Sequence, residues 1–134
     1  MEEHPWRRLR GMPHVRLVWR RLPGLLGLTD GRSVVVLHPD QSQAQRRCTL
    51  AHELAHIELG HVGGCTPAQE REVRALVARR LVPDDALLAA WRWTRHPREL
   101  ADELGVDVPT VLDRLAGLDA AERALLAAAD DGVA

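Results

Sequence analysis

The stretch from Asp40 to Gly60 constrains this chain most. Asp40 and Ser42 are residue types that cap helix N-termini, and Gly60 is the residue type that ends helices, so one helix is predicted between them, running to about Leu59. Apolar residues fall on most of its sides: Leu50, Leu54, Ala55, Ile57 and Leu59. A helix of that kind is buried, and the fold has to be built around it. Yet it also carries His52, Glu53 and His56. Two imidazoles and a carboxylate are costly inside a protein unless they are paired or bound to a metal.

Those three residues form H-E-x-x-H within Thr49-Leu50-Ala51-His52-Glu53-Leu54-Ala55-His56. Positions i and i+4 lie about 40° apart on a helix face. Both imidazoles can therefore reach one tetrahedral Zn2+ at about 2.0–2.1 Å. Glu53 projects about 100° from His52, beside such a metal and not on it. A carboxylate there can take a proton from an attacking water and return it to a leaving amine. With seven His in the chain, chance produces the pattern in roughly one of forty such sequences. The buried setting is what makes it informative.

A catalytic zinc needs a third protein ligand. His61 is a poor candidate, because it would project about 180° from His52 if the helix continued. Thr66-Pro67-Ala68-Gln69 reads as N-cap, N1 proline and N3 glutamine, opening a second helix that runs to about Leu81 before Pro83. That helix offers Glu70 and Glu72. Glu70 shares a face with Val73, Val77 and Leu81; Glu72 shares one with Leu76 and Arg79. Glu70 is the better candidate on this pattern, and Glu72 stays open. Cys48, one turn before His52, reads as a small packing residue, and Cys65 as incidental.

The rest of the chain supplies the surroundings. His14–Trp19, Leu25–Leu28 and Ser33–Leu37 read as strands, with Thr29-Asp30-Gly31-Arg32 as turn chemistry between the last two. A small antiparallel sheet is expected. Beyond Pro83, a helix is predicted over Asp84–Trp93. Short helices follow at Glu99–Leu104, at Pro109–Leu115, and after the Asp119/Glu122 cap. The fold class is α+β and mainly helical. Residues 1–95 would form the first domain, and 96–134 a helical appendage packed on it.

Composition narrows the function classes. The formal net charge is −1, every basic side chain is Arg, and Cys48 and Cys65 make no disulfide framework. Leu100–Leu115 has helix-turn-helix spacing, but its second helix offers only Arg114, within an acidic segment. A recognition helix needs more cations. No direct nucleic-acid partner is expected, and a packing or substrate-docking role fits better. The first residues show no apolar leader and no segment approaches a membrane span, so a cytoplasmic protein is expected.

The run Gly27-Leu28-Thr29, the valine strand, Arg46-Arg47-Cys48-Thr49-Leu50-Ala51-His52-Glu53-Leu54-Ala55-His56, and the helix from Glu70 to Leu81-Val82-Pro83 together resemble the ImmA/IrrE family of metallo-endopeptidases, over roughly residues 24 to 118. The resemblance implies a zincin-like fold. It implies zinc held by His52, His56 and Glu70, with Glu53 as the base. It implies a protein substrate, a helix-turn-helix transcriptional repressor of phage, mobile-element or stress genes. It also implies that the strand before the zinc helix is an edge aligning the substrate, here Ser33–Leu37, with Val35, Val36 and His38 nearest to it. The chain departs from the family at Arg74, where an Asn or Asp usually supports a metal ligand. An Arg cannot accept a hydrogen bond from imidazole. The alternative implied by that departure is a zinc-binding regulatory module with little hydrolytic activity. With no Tyr in the chain, a developing oxyanion would have to meet a His, an Arg or the metal, and His38 and His61 are the candidate histidines.

Overall fold

A computed structural model describes residues 4–130. The chain order is α1 (Pro5–Arg10), β1 (Arg16–Trp19), β2 (Gly27–Thr29), β3 (Val34–Leu37), α2 (Gln43–Glu58), α3 (Pro67–Leu81), α4 (Asp84–Trp91), α5 (Pro97–Leu104), α6 (Val108–Ala116) and α7 (Ala120–Asp130). The class is α+β and mainly helical, as expected. No described helix is long and apolar enough to cross a membrane.

The sheet is mixed and not purely antiparallel. Its order is β1-β3-β2. β1 runs parallel to β3, from Arg16 beside Val34 to Trp19 beside Leu37, and β2 runs antiparallel to β3, from Gly27 beside Leu37 to Thr29 beside Val35. The most apolar strand takes the centre, with Val35 and Leu37 fully buried. The chain between β1 and β2, residues 20–26 with Pro23 and Gly24, is too long for a tight hairpin, so β1 pairs across β3. The expected turn between β2 and β3 is present. The Asp30 carboxylate accepts from the backbone N–H groups of Arg32, Ser33 and Val34. Those bonds hold its pKa at about 2.

α1 was not anticipated. Its N-cap is His4, an unusual capping residue that accepts from the Trp6 backbone N–H, and tertiary packing of Trp6 and Leu9 sustains its six residues.

α2 divides two cores. Leu50 and Leu54 face the sheet and pack with Val35 and Leu37. Cys48, Ala51 and Ala55 face the other helices, joining Val73, Val77, Leu100, Val111 and Leu126. This is why its sequence is apolar on most sides. The remaining stripe, with Thr49, His52, Glu53 and His56, opens on a cleft. The second core continues past residue 95 into α5, α6 and α7.

Arg114 ties the C-terminal helices down. It is 2% exposed, donates Nε to the Val82 carbonyl at 2.7 Å, and pairs with Glu122 at 2.7 Å and Asp84 at 2.6 Å. Arg79 adds a second cation to Glu122 at 2.8 Å. The one basic residue of the helix-turn-helix-like segment's second helix thus points into the protein.

Candidate metal centre

The site is assembled from the ends of two helices. α2 begins with a capping box of Ser42 and Gln45 and presents His52, Glu53 and His56 in its last turns. α3 begins with the expected capping box of Thr66 and Gln69, which places Glu70 in its first turn. There the N-terminal end of the helix dipole favours a carboxylate. Glu70 meets both histidines: His52 Nε2 lies 2.7 Å from Oε1 and His56 Nε2 lies 3.1 Å from Oε2. The two Nε2 atoms are 3.2 Å apart. One donor atom from each of the three residues lies within 4.8 Å of the others, so the group could hold a metal ion. Two imidazole nitrogens and a carboxylate oxygen, with one side open to the cleft, suit a borderline cation that keeps a free coordination position. Glu72 is exposed on the outer side of α3 and is not part of this cluster.

Glu53 lies beside the cluster and is 8% exposed. Burial, reinforced by the charge of Glu70, pushes its carboxyl up to about 7. Burial also lowers His56, and the neighbouring His52 adds to that, so the imidazole is kept neutral, the form that binds a metal. Burial works to raise Glu70, but His52, Cys65 and His56 outweigh it and hold the carboxyl below its usual range.

His61 is not in the metal-holding group, as expected, but the sequence did not show where its ring would lie. α2 does not continue to it. The chain turns through Gly60 at φ +74°, the Gly60 N–H donates to Ile57 O at 3.1 Å, and the His61 N–H donates to His56 O at 3.0 Å. This pair of bonds is a Schellman ending, and it folds His61 back beneath the helix. Its ring then meets His56, Nδ1 to Nδ1 at 3.0 Å, on the side away from Glu70. The signal was available, because Gly60 sits at the position just past the helix cap.

The cleft encloses about 910 Å³. One wall is the segment from Gly24 to Thr29, ending in β2; the facing wall is α6, with Pro109, Leu112 and Asp113. Gly27 lets β2 lie close on α2, since a Cβ there would come 2.6 Å from Thr49 Cγ2. The sheet order corrects the expectation for the substrate strand. β3 is central and hydrogen-bonded on both sides, so Ser33–Leu37 has no free edge. Val35 is buried in the sheet core, and neither Val36 nor His38 lines the cleft. His38 instead donates its backbone N–H to Leu26 O and accepts from Asp40 N on Nδ1. The edge beside the cleft belongs to β2. Antiparallel pairing alternates; with Leu26 bonded to His38, the polar backbone groups of Gly27 and Thr29 turn outward.

Arg74 lines the cleft with its side chain half exposed, its Nε 3.6 Å from Asp113 Oδ2. Burial raises the Asp113 carboxyl, while Arg74 and His52 oppose the rise. An acidic group from α6 therefore stands near His52, although position 74 itself is cationic. No sequence pattern indicated that α6 would form this wall.

A mainly helical domain with a small sheet on an H-E-x-x-H helix, and a carboxylate from the next helix completing a group that could hold a metal, defines a metallopeptidase-like protein. Residues 14–116 match the model of the peptidase M78 family, described as the IrrE N-terminal-like domain, and the chain belongs to that family. Comparison with curated proteins and with solved structures finds no match.

Proposed function

We propose that this chain is a zinc-dependent endopeptidase in which His52, His56 and Glu70 hold the metal and Glu53 is the general base. The observation that carries the reading is the convergence of both Nε2 atoms on the Glu70 carboxylate, at 2.7 and 3.1 Å, with Glu53 buried next to them. Zinc, when bound, supplies Lewis acidity toward water and the peptide carbonyl. Glu53 accepts the proton of the attacking water and delivers it to the leaving amine. The desolvation that raises its pKa matches it to proton transfer near neutral pH.

The substrate is a protein segment bound extended along the β2 edge, where Gly27 and Thr29 offer backbone groups for strand addition. Leu25, Leu26 and Leu28 are exposed on that wall, and Leu112 is exposed across from them, so apolar substrate side chains fit the cleft. A transcriptional repressor with a helix-turn-helix domain, met in the cytoplasm, is the substrate that the family resemblance supports. The helices from α5 to α7 act as an appendage that completes the cleft through α6.

The second reading is a zinc-binding regulatory module that holds its partner without cutting it. Arg74 favours it, because a cation stands where the family places an acceptor. One experiment separates the two. Metal analysis of protein purified without chelator returns about one zinc per chain in either case. Incubation with the repressor encoded beside its gene then gives cleavage, abolished by Glu53→Gln with zinc retained, if the enzyme reading is right. Binding without cleavage establishes the module, and metal-free protein whose stability ignores His52→Ala sinks both.

A further inference from the structure

We infer that His61 is a positioning residue for the metal centre, accepting a hydrogen bond from His56 Nδ1 and so fixing which nitrogen of His56 faces the metal. The inference rests on the reading of His52, His56 and Glu70 as metal ligands.

The argument begins with proton accounting. His56 turns Nε2 toward Glu70 and Nδ1 toward His61. A neutral imidazole carries one proton, and the nitrogen that binds a metal cannot hold it. With Nε2 at the metal, Nδ1 carries the proton and needs an acceptor. The group 3.0 Å away is His61 Nδ1. His61 must then be the tautomer protonated on Nε2, since two N–H groups cannot face each other. Seating the metal thereby sets both rings.

The protein holds His61 for this task more firmly than a loop residue needs. The residue is 8% exposed. Its N–H is fixed to His56 O, so ring and backbone both answer to the same ligand. From the other side, the Gly31 turn presses on its carbonyl, leaving no room for a Cβ. Metal-bound histidines almost always donate their second nitrogen to such an outer partner, usually a carboxylate or a carbonyl. Position 74, which the family uses for an acceptor, holds a cation here. His61 supplies an acceptor from a different element and serves the second histidine. A neutral imidazole accepts less strongly than a carboxylate, so the ligand is oriented with little added negative charge.

Zinc affinity, measured by chelator competition, tests the inference on the full chain. The variants are His61→Leu, His61→Asn and His61→Gln. The Asn carbonyl falls near the position of Nδ1, and the Gln carbonyl near that of Nε2. Losing an outer partner costs about 10–100-fold in metal affinity. His61→Leu and His61→Gln should weaken zinc binding at least tenfold, and His61→Asn should stay within a few-fold of the parent. The d–d spectrum of the cobalt-substituted protein should change in the first two variants and be kept in the third. Parent-like zinc affinity in His61→Leu overturns the inference, as does equal loss in all three variants, which would mark a shape requirement only. If His61→Leu does not fold, the contrast between Asn and Gln decides alone. A parent that binds no zinc overturns the metal centre itself, an outcome distinct from a parent that binds zinc and ignores position 61.

Discussion

A Cβ placed on Gly31 would lie 2.2 Å from the carbonyl oxygen of His61. The turn between β2 and β3 thus rests directly on the chain that leaves α2, and it does so at φ +76°, a conformation that side chains other than glycine's rarely adopt. Gly31→Ala therefore meets both strain and a backbone clash. It should lower stability by about 2 kcal/mol or more, read from the urea midpoint. Gly24→Ala, also at positive φ but with nothing within 4 Å, should cost about 1 kcal/mol. Equal losses would show that the contact with His61 carries no weight.

Glu53→Gln keeps the size of the side chain and removes the base. Zinc content should be unchanged, because Glu53 lies outside the metal-binding group. Peptide cleavage should fall at least a hundredfold, the usual scale for loss of a general acid–base group of about 10²–10⁴. Zinc analysis and a fluorogenic peptide assay on the same preparation check both halves.

Arg74 makes only a half-exposed ion pair with Asp113, at 3.6 Å. Such pairs contribute about 0–1 kcal/mol. Arg74→Gln should hold the unfolding midpoint within that range. If the guanidinium meets charge developing on the substrate carbonyl, the same variant should lower kcat about tenfold or more with KM little changed. A parent-like kcat would leave the metal as the oxyanion stabiliser.

Glu122 is held well below the usual carboxylate range, first by the Arg79 guanidinium and then by Asp84, Arg114 and the Asp119 N–H. The folded pKa is below the unfolded one, so the contribution to stability is complete above the unfolded value, about 4.3. It is lost as the pH falls from there toward the folded value. Glu122→Gln leaves Arg114 buried without its one buried carboxylate partner and should cost about 3 kcal/mol at pH 7. The gap between parent and variant should narrow as the pH drops from 5 to 3, followed by thermal unfolding. A gap that stays constant with pH would show that the charge of Glu122 does not matter.

Much of the site's local structure was legible from residues 42–81. The Thr66/Gln69 capping box was read from the chain, and for α2 Ser42 was one of two candidate caps, beside Asp40; the structure chose Ser42 and boxed it with Gln45. Period and cap together put His52, Glu53 and His56 on one stripe and favoured Glu70 over Glu72. These are local matters, decided within one or two helical turns. The strand order was not legible, because three short apolar runs pair equally well on paper in several ways. Which strand lies at the centre depends on burying Val35 and Leu37 against Leu50 and Leu54, a contact between distant segments. The same limit hid the role of α6, whose Leu112 and Asp113 reach the cleft only once Arg114 is locked onto Val82, Asp84 and Glu122.

By itself, then, the sequence determined α2 and α3, where each begins and ends, and the three residues on the stripe, since hydrogen bonding and side-chain spacing along a helix are local. Tertiary structure decided which edge of the sheet borders the cleft, which helix walls it, and that His61 returns to His56. Each of those outcomes depends on packing between segments far apart in the chain. The return of His61 shows the division within one residue: Gly60 told where α2 would end, and only the bed formed by Gly31 and His56 told where the next ring would come to rest.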